Sequence, residues 1–207
     1  MSQIFAIHPD NPQARLLRQA ATIVEEGGLI VYPTDSGYAL GCSLGNKSAL
    51  ERIRQLRQLG KDHHMTLVCR DLSQLSMYAR VTNPIFRLLK AFTPGAYTFI
   101  LNATHEVPRL LLQPKRKTVG LRIPDHVICM AFLDCLEAPL MSSTLRLPGA
   151  SVPLSEPESI QDLLGKQVDL IINGGHCSHE PTTVVDLTGH YPDIIREGKG
   201  DASPFRV

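Results

Sequence analysis

A short apolar run, Leu29-Ile30-Val31-Tyr32, stops at Pro33 and gives way at once to Thr34-Asp35-Ser36-Gly37-Tyr38-Ala39-Leu40-Gly41-Cys42. Val31 and Tyr32 have the character of a sheet interior. Pro33 carries no amide hydrogen, so the regular ladder is expected to end there. Thr34, Asp35 and Ser36 are then expected to face a cleft rather than a core. An ordinary strand followed by a polar turn gives the same letters. On either reading the chain must build a buried sheet with polar groups where this strand finishes.

The rest of the pattern mixes helices with strands. Asp10 or Asn11 is placed to cap a helix with Pro12 in its first turn, and Leu16, Leu17, Ala20, Ile23 and Val24 recur at helical spacing up to Gly27-Gly28. Asn46 caps a second helix, whose apolar stripe is Leu50, Ile53, Leu56 and Leu59. Asn83-Pro84 opens a third helix, which Thr93-Pro94-Gly95 ends. Val127–Leu136 reads as a fourth, and Ser155–Leu164 as a turn plus helix. Strands are expected at 29–32, 65–69, 97–101, 119–123, 140–143, 169–172, 183–187 and 194–196. Some neighbouring strands have no helix between them, so the sheet is expected to be mixed rather than purely parallel. The fold class is α/β.

A chain of 207 residues with 43% apolar content can bury a core without disulfides or a metal. A single domain over 10–200 is expected, with 201–207 as a short tail and no additional C-terminal domain. The net charge of +1 decides nothing about nucleic acid. Its distribution is more informative. Arg52, Arg54, Arg57, Lys61, His63, His64 and Arg70 form one basic region, and Lys115-Arg116-Lys117 another. The chain opens Met1-Ser2-Gln3-Ile4 with no signal segment and has no apolar stretch long enough to span a bilayer, so the expected location is the cytoplasm. Five scattered cysteines without a CxxC pair read as reduced thiols, each a small buried hydrophobe rather than a nucleophile.

Five constellations could carry chemistry. Thr34, Ser36 and Tyr38 offer hydroxyls to a small polar ligand, with neither a Walker A loop nor a Gly-x-Gly-x-x-Gly fingerprint nearby. Arg57, Lys61 and His63 lie on the basic helix or its exit, fit for phosphate contact or simply a solvated face. Arg122, inside the apolar strand Gly120-Leu121-Arg122-Ile123-Pro124, must pair with a structural carboxylate or a ligand phosphate. Ser142-Ser143-Thr144 at another strand end suits ligand hydrogen bonding better than nucleophilic catalysis, because no Gly-x-Ser-x-Gly elbow surrounds it. Thr182, Thr183 and Arg196 lie on two elements that resemble a strand pair able to close over a small ligand. His176, Cys177 and His179 lack a fourth local ligand and do not establish a zinc site.

In order along the chain, Gly28–Gly41, Thr93-Pro94-Gly95, Gly120–Pro124, Asp169–Gly175, Thr182–Asp186 and Ile195–Gly198 resemble the threonylcarbamoyl-AMP synthase superfamily, or YrdC-like family, and most of all its YciO branch. The resemblance implies a twisted, open, mixed sheet flanked by helices around a basic concave cavity. Synthases of the family join threonine, bicarbonate and ATP with release of pyrophosphate, for modification of adenosine in tRNA. The resemblance keeps Pro33, Thr34, Asp35, Tyr38 and Leu40, replaces a threonine with Ser36, and keeps Arg122, Thr183 and Arg196. It departs at two places. The family's Lys-x-Arg becomes Arg57-Gln58-Leu59, and its Ser-x-Asn becomes Ser143-Thr144-Leu145. A leucine donates no hydrogen bond, and arginine is not equivalent to lysine. Lys61 and His63 are the candidates to compensate.

The implied function is a nucleotide- and RNA-binding protein, for double-stranded RNA or tRNA, acting on threonylcarbamoyl-modified adenosine rather than serving as an efficient synthase. A working synthase is the alternative. No permanent cofactor is implied; ATP or AMP with Mg would enter as substrate. The implied partners are structured RNA or tRNA, a nucleotide and threonine, with no membrane. A homodimer stays open.

Overall fold

The computed structural model describes residues 2–60, 63, 65–112 and 117–206. Ten strands form one mixed sheet: β1 (Gln3–Ala6), β2 (Ile30–Thr34), β3 (Gly37–Ser43), β4 (Thr66–Val68), β5 (Tyr97–Asn102), β6 (Thr118–Arg122), β7 (Leu140–Thr144), β8 (Leu170–Asn173), β9 (Thr183–Asp186) and β10 (Asp193–Arg196). Their order across the sheet is β1-β8-β2-β3-β7-β4-β6-β5-β9-β10. Among the described residues six helices flank it: α1 (Ala14–Glu25), α2 (Lys47–Arg57), α3 (Leu72–Tyr78), α4 (Asn83–Phe92), α5 (Val127–Leu133) and α6 (Pro157–Leu164). No helix among the described residues is long and apolar enough to cross a membrane.

The period of two along each strand divides the molecule. Leu29, Val31, Leu40, Leu67, Phe99, Leu121, Met141 and Val185 face one side and build the larger core with α2, α3, α4 and α6. Ile30, Tyr32, Ala39, Val68, Leu140, Leu170 and Ile172 face the other and pack under α1 and α5. Those two helices cover the β1-β8-β2-β3 end of that face. Past Ala39 and Val68 the same face forms the wall of a cavity.

Several expectations change. Pro33 does not end the ladder. It lies within β2, opposite Tyr38, in a hairpin that continues to the Thr34–Gly37 pair. The parallel pairing of β2 with β8 stops at Val31, so the missing amide falls beyond the last paired residue on that side. Asp35 and Ser36 turn the chain, and Gly37 takes φ +117, where a Cβ would stand 2.8 Å from the Ser178 carbonyl oxygen. Helix α1 starts after Gln13 rather than at Asp10 or Asn11, so Pro12 precedes it. Strands β1 and β3 and helix α3 were not foreseen. Gln3–Ala6 pairs with β8, and Phe205, in the segment read as a tail, packs against Phe92, Tyr97 and Phe99. The expected caps at Asn46 and Asn83-Pro84 are present: Asn46 accepts the Ala49 N–H, and Pro84 sits in the first turn of α4. All five cysteines are free thiols.

Candidate functional site

The bare part of the sheet carries a cavity of about 780 Å³. Its wall follows alternate residues of adjacent strands: Thr144 and Ser142 on β7, Thr66 and Val68 on β4, Thr118, Gly120 and Arg122 on β6, Thr98 and Ile100 on β5, Val184 and Asp186 on β9. In register, Ser142 faces Thr66, Thr66 faces Gly120, Gly120 faces Ile100, and Ile100 faces Asp186, so these residues form one row across five strands. On β4, β6, β5 and β9 the residues between them, Leu67, Val119, Leu121, Phe99 and Val185, belong to the core, whereas on β7 the intervening Ser143 also reaches the hollow. The cavity thus presents hydroxyls because the opposite face of the same strands takes the apolar side chains.

Four guanidiniums reach this hollow, those of Arg57, Arg122, Arg146 and Arg196, together with His63 and His179. Arg57 ends α2, donates to Ser143 Oγ and, through Nε, to the Arg146 carbonyl oxygen at 3.2 Å. Arg196 on β10 grips the Thr182 carbonyl oxygen with Nε at 3.1 Å and Nη2 at 2.9 Å, and Thr182 Oγ1 at 3.1 Å. Burial, and then Arg146, push the Arg57 pKa down to about 10. Burial, Arg146 and Arg122 lower that of Arg196 in the same way. The groups are close enough to oppose one another's charge, which an anion with several oxygens would relieve.

Arg122 answers the question its sequence posed. Its Nη2 pairs with Asp35 Oδ1, and its Nη1 donates to Ser36 Oγ at 2.9 Å. Asp35 Oδ2 also accepts the Asp125 N–H at 3.1 Å. The partner is therefore a structural carboxylate, yet the buried Nε of Arg122 has no hydrogen-bond partner. Asp35 is engaged in this pair and does not project freely into a cleft.

The other candidates divide. Thr34, Ser36, Tyr38, Arg57, His63, Arg122, Ser143, Thr182 and Arg196 all border the cavity. The hydroxyl of Thr34 is spent locally, donating to the Gly37 carbonyl oxygen at 2.6 Å and accepting the Ser36 N–H. Tyr38 keeps its ring in the core; its hydroxyl donates to the Gly175 carbonyl oxygen at 2.7 Å and accepts the Gly174 N–H at 3.2 Å. Burial, then the nearby Cys177, drive its pKa upward, so it stays a neutral clip. Thr183 turns away: it is fully buried, donates to the Gly200 carbonyl oxygen and accepts the Gly198 N–H. Thr182 borders the cavity and shares a 2.9 Å hydrogen bond with Thr98. Lys61, His64, Lys115 and Arg116 lie outside the described residues.

The basic helix is split as well. Arg52 binds Asp169 at 2.7 Å and the Gln167 carbonyl oxygen, Arg54 binds Glu51, and of the three only Arg57 borders the cavity. Among the described residues no three His, Cys, Asp or Glu side chains could share a metal ion. Burial pushes the Cys177 thiol up to about 11, His176 pairs with Glu156, and His179 borders the cavity. Sequence reasoning missed Arg146, Thr66, Thr98, Thr118 and Asp186 as wall residues. The alternation of polar and apolar letters in each strand was the signal for four of them.

At the two departures, the leucines face the core. Leu145 is fully buried, and its N–H donates to the Tyr38 carbonyl oxygen at 2.9 Å. Leu59 packs against the same core just after α2, where Gln58 adopts a left-handed φ of 50 and the Leu59 N–H closes on the Arg54 carbonyl oxygen.

A mixed open sheet with one bare face of hydroxyls and guanidiniums defines an α/β protein with a basic concave cavity. The chain matches the Sua5/yciO/yrdC family model, described as "Telomere recombination", over residues 22–198, and it belongs to this YrdC-like superfamily as close kin of the YciO branch. YciO of Escherichia coli (strain K12) is 58% identical over 99% of this chain and 100% of its own length; its crystal structure superposes with a TM-score of 0.96 over 100% of both chains. A threonylcarbamoyl-AMP synthase of Vibrio vulnificus (strain YJ016) is 28% identical over 88% of this chain and 98% of its own. P. abyssi Sua5 complexed with L-threonine is 26% identical, with a TM-score of 0.87 over 95% of this chain and 58% of that one.

Proposed function

We propose that this chain is a nucleotide- and RNA-binding member of the superfamily. Its cavity takes an adenosine phosphate, or the threonylcarbamoyl-modified adenosine of structured RNA such as tRNA or double-stranded RNA, and it is not an efficient synthase. One observation carries the reading: four guanidiniums border a hydroxyl-lined hollow, while Leu59 and Leu145 pack into the core where the synthase pattern has polar partners. The hollow, about 780 Å³, has the volume of a small-molecule site. Losing one donor aimed at developing charge costs roughly 100–1000-fold in rate. Losing two weakens catalysis more than it weakens binding, because binding keeps every remaining arginine.

A synthase with rearranged phosphate ligands is favoured by Arg146. It lies one residue beyond Leu145 and brings its charge near enough to Arg57 to be felt there, so it can stand in for a missing donor. Mg would then accompany ATP as substrate. Two measurements on the purified protein separate the readings: pyrophosphate release with L-threonine, bicarbonate and ATP, and binding of AMP and of a tRNA anticodon stem-loop carrying threonylcarbamoyladenosine. The proposal expects binding without sustained pyrophosphate release. Robust turnover would make the chain a synthase. Binding of neither ligand would remove the cavity reading altogether.

A further inference from the structure

Among the described residues that border the cavity, Asp186 is the single carboxylate, set beside four guanidiniums. Repulsion of phosphate makes it a poor residue for a pure anion site. Its geometry is nevertheless fixed. Oδ1 accepts both the Thr188 N–H at 2.8 Å and the Thr188 hydroxyl at 2.6 Å. No hydrogen bond to Oδ2 is formed by any described residue, so this oxygen remains available to a donor. Its flanking partner toward the sheet centre is Ile100, which offers none.

The position relative to Arg196 is informative. The Arg196 guanidinium grips Thr182, and Thr182 and Asp186 both border the cavity four residues apart. Such a span is about 13 Å of extended chain. With a charge-assisted hydrogen bond of about 2.8 Å at each end, an anion held by Arg196 and a hydroxyl donor held by Asp186 stand about as far apart as a phosphate and a sugar hydroxyl of one nucleotide.

We propose that Asp186 accepts the ribose 2′-hydroxyl of the bound nucleotide and makes the cavity selective for ribonucleotides over deoxyribonucleotides. This rests on the nucleotide reading above. A ribose hydroxyl is the neutral donor a nucleotide carries at that reach, and it is the group that distinguishes RNA from DNA. The carboxylate costs phosphate affinity in both sugars and recovers it only when the hydroxyl is present. Discrimination of roughly 10–100-fold is expected, the value of one hydrogen bond to a charged acceptor.

The test is calorimetric titration of the full chain with AMP and with 2′-deoxy-AMP, for the wild type, Asp186→Ala and Asp186→Asn, with circular dichroism melts of each. The wild type is expected to bind AMP at least tenfold more tightly. In Asp186→Ala the ratio should fall to about one, and in Asp186→Asn, whose amide is a neutral partner, to a value between that and the wild type; both should bind 2′-deoxy-AMP as well as or better than before, since a repelling charge has gone. A merely structural role would weaken both ligands together and preserve the ratio, which overturns the assignment. Equal wild-type affinity for the two nucleotides overturns it too, while leaving the nucleotide reading intact. Loss of L-threonine binding in the variants with an unchanged sugar ratio would instead assign Asp186 to an ammonium and overturn the inference. Failure of the wild type to bind AMP, ATP or RNA refutes the underlying reading, and this one with it.

Discussion

The Asp35–Arg122 pair is the part of the site whose removal has the most calculable consequence. Its side chains are 7% and 9% exposed, so both charges are largely desolvated. Among the described residues, Arg122→Met leaves Asp35 with only the Asp125 N–H as a donor to its carboxylate, and Asp35→Ala leaves the guanidinium with only Ser36 Oγ. Breaking one side of a buried pair costs about 3–5 kcal/mol, because the surviving charge stays buried. At 2–4 °C per kcal/mol for a domain of this size, each single variant should melt roughly 6–20 °C lower. The double variant removes both charges, so it should be more stable than the sum of the single effects by about 2 kcal/mol or more. Urea denaturation of the four proteins at one pH measures that cycle directly. Single losses below about 1 kcal/mol, or strict additivity, would refute the reasoning: the pair would then be solvated and Arg122 free to swing, not fixed with its Nε toward the hollow.

Arg57→Ala and Arg196→Ala should each weaken AMP binding by roughly 10–100-fold while shifting the melting temperature little, and each should lower the salt slope of RNA binding by about one unit; unchanged isotherms with intact folding would remove these residues from the site. Stability should fall as pH drops below 6.5 toward the folded pKa of His126. Burial first lowers that pKa, and the neutral ring Nδ1 accepts the Cys129 N–H to cap α5. The unfolded chain therefore takes up the proton first, and His126→Asn, which retains an acceptor, should flatten the slope over that window. Burial pushes the Asp169 carboxyl up, but the hydrogen bonds from Arg52 and the Leu29 N–H, and the Arg52 charge, outweigh it and hold the carboxyl below its ordinary value. Its contribution is present above the unfolded pKa and is lost as pH falls through the folded one. Asp169→Ala should cost about 1–2 kcal/mol at pH 7, mostly from the orphaned Leu29 N–H because the ion pair is partly exposed, and the difference from wild type should shrink in acid.

Where the chain writes its folding in a local pattern, the sequence was readable. The stripe of α1, the Asn46 cap and the apolar runs of β2, β4 and β8 needed no tertiary information. Strand β3 did, because Gly37, Ala39 and Gly41 argue against a strand by propensity. Packing overrides them: a Cβ on Gly41 would stand 2.6 Å from Leu140 Cδ2 and 2.8 Å from the Tyr32 ring. Helix α3 carries its own local signal. Asp71 accepts the Gln74 N–H, and Gln74 reaches back to the Arg70 N–H, a reciprocal cap spelled Asp-x-x-Gln.

In the site, Thr182 and Thr183 stand together as candidates in the sequence, although alternation carries the signal that parts them, since adjacent strand residues face opposite sides. The Asp35 partner of Arg122 was not legible, because 87 residues separate them and only the sheet order brings hairpin and strand together. Arg146 follows β7 in an irregular segment, so no period pointed it inward.

On this reading the bare face of the sheet is a nucleotide site. A crystal structure of the full chain with AMP tests it most directly. The phosphate is expected against Arg196, Arg146 or Arg57 and the ribose along β9, with Leu59 and Leu145 still in the core. AMP bound elsewhere on the surface, or a hollow left empty at saturating AMP, would contradict it.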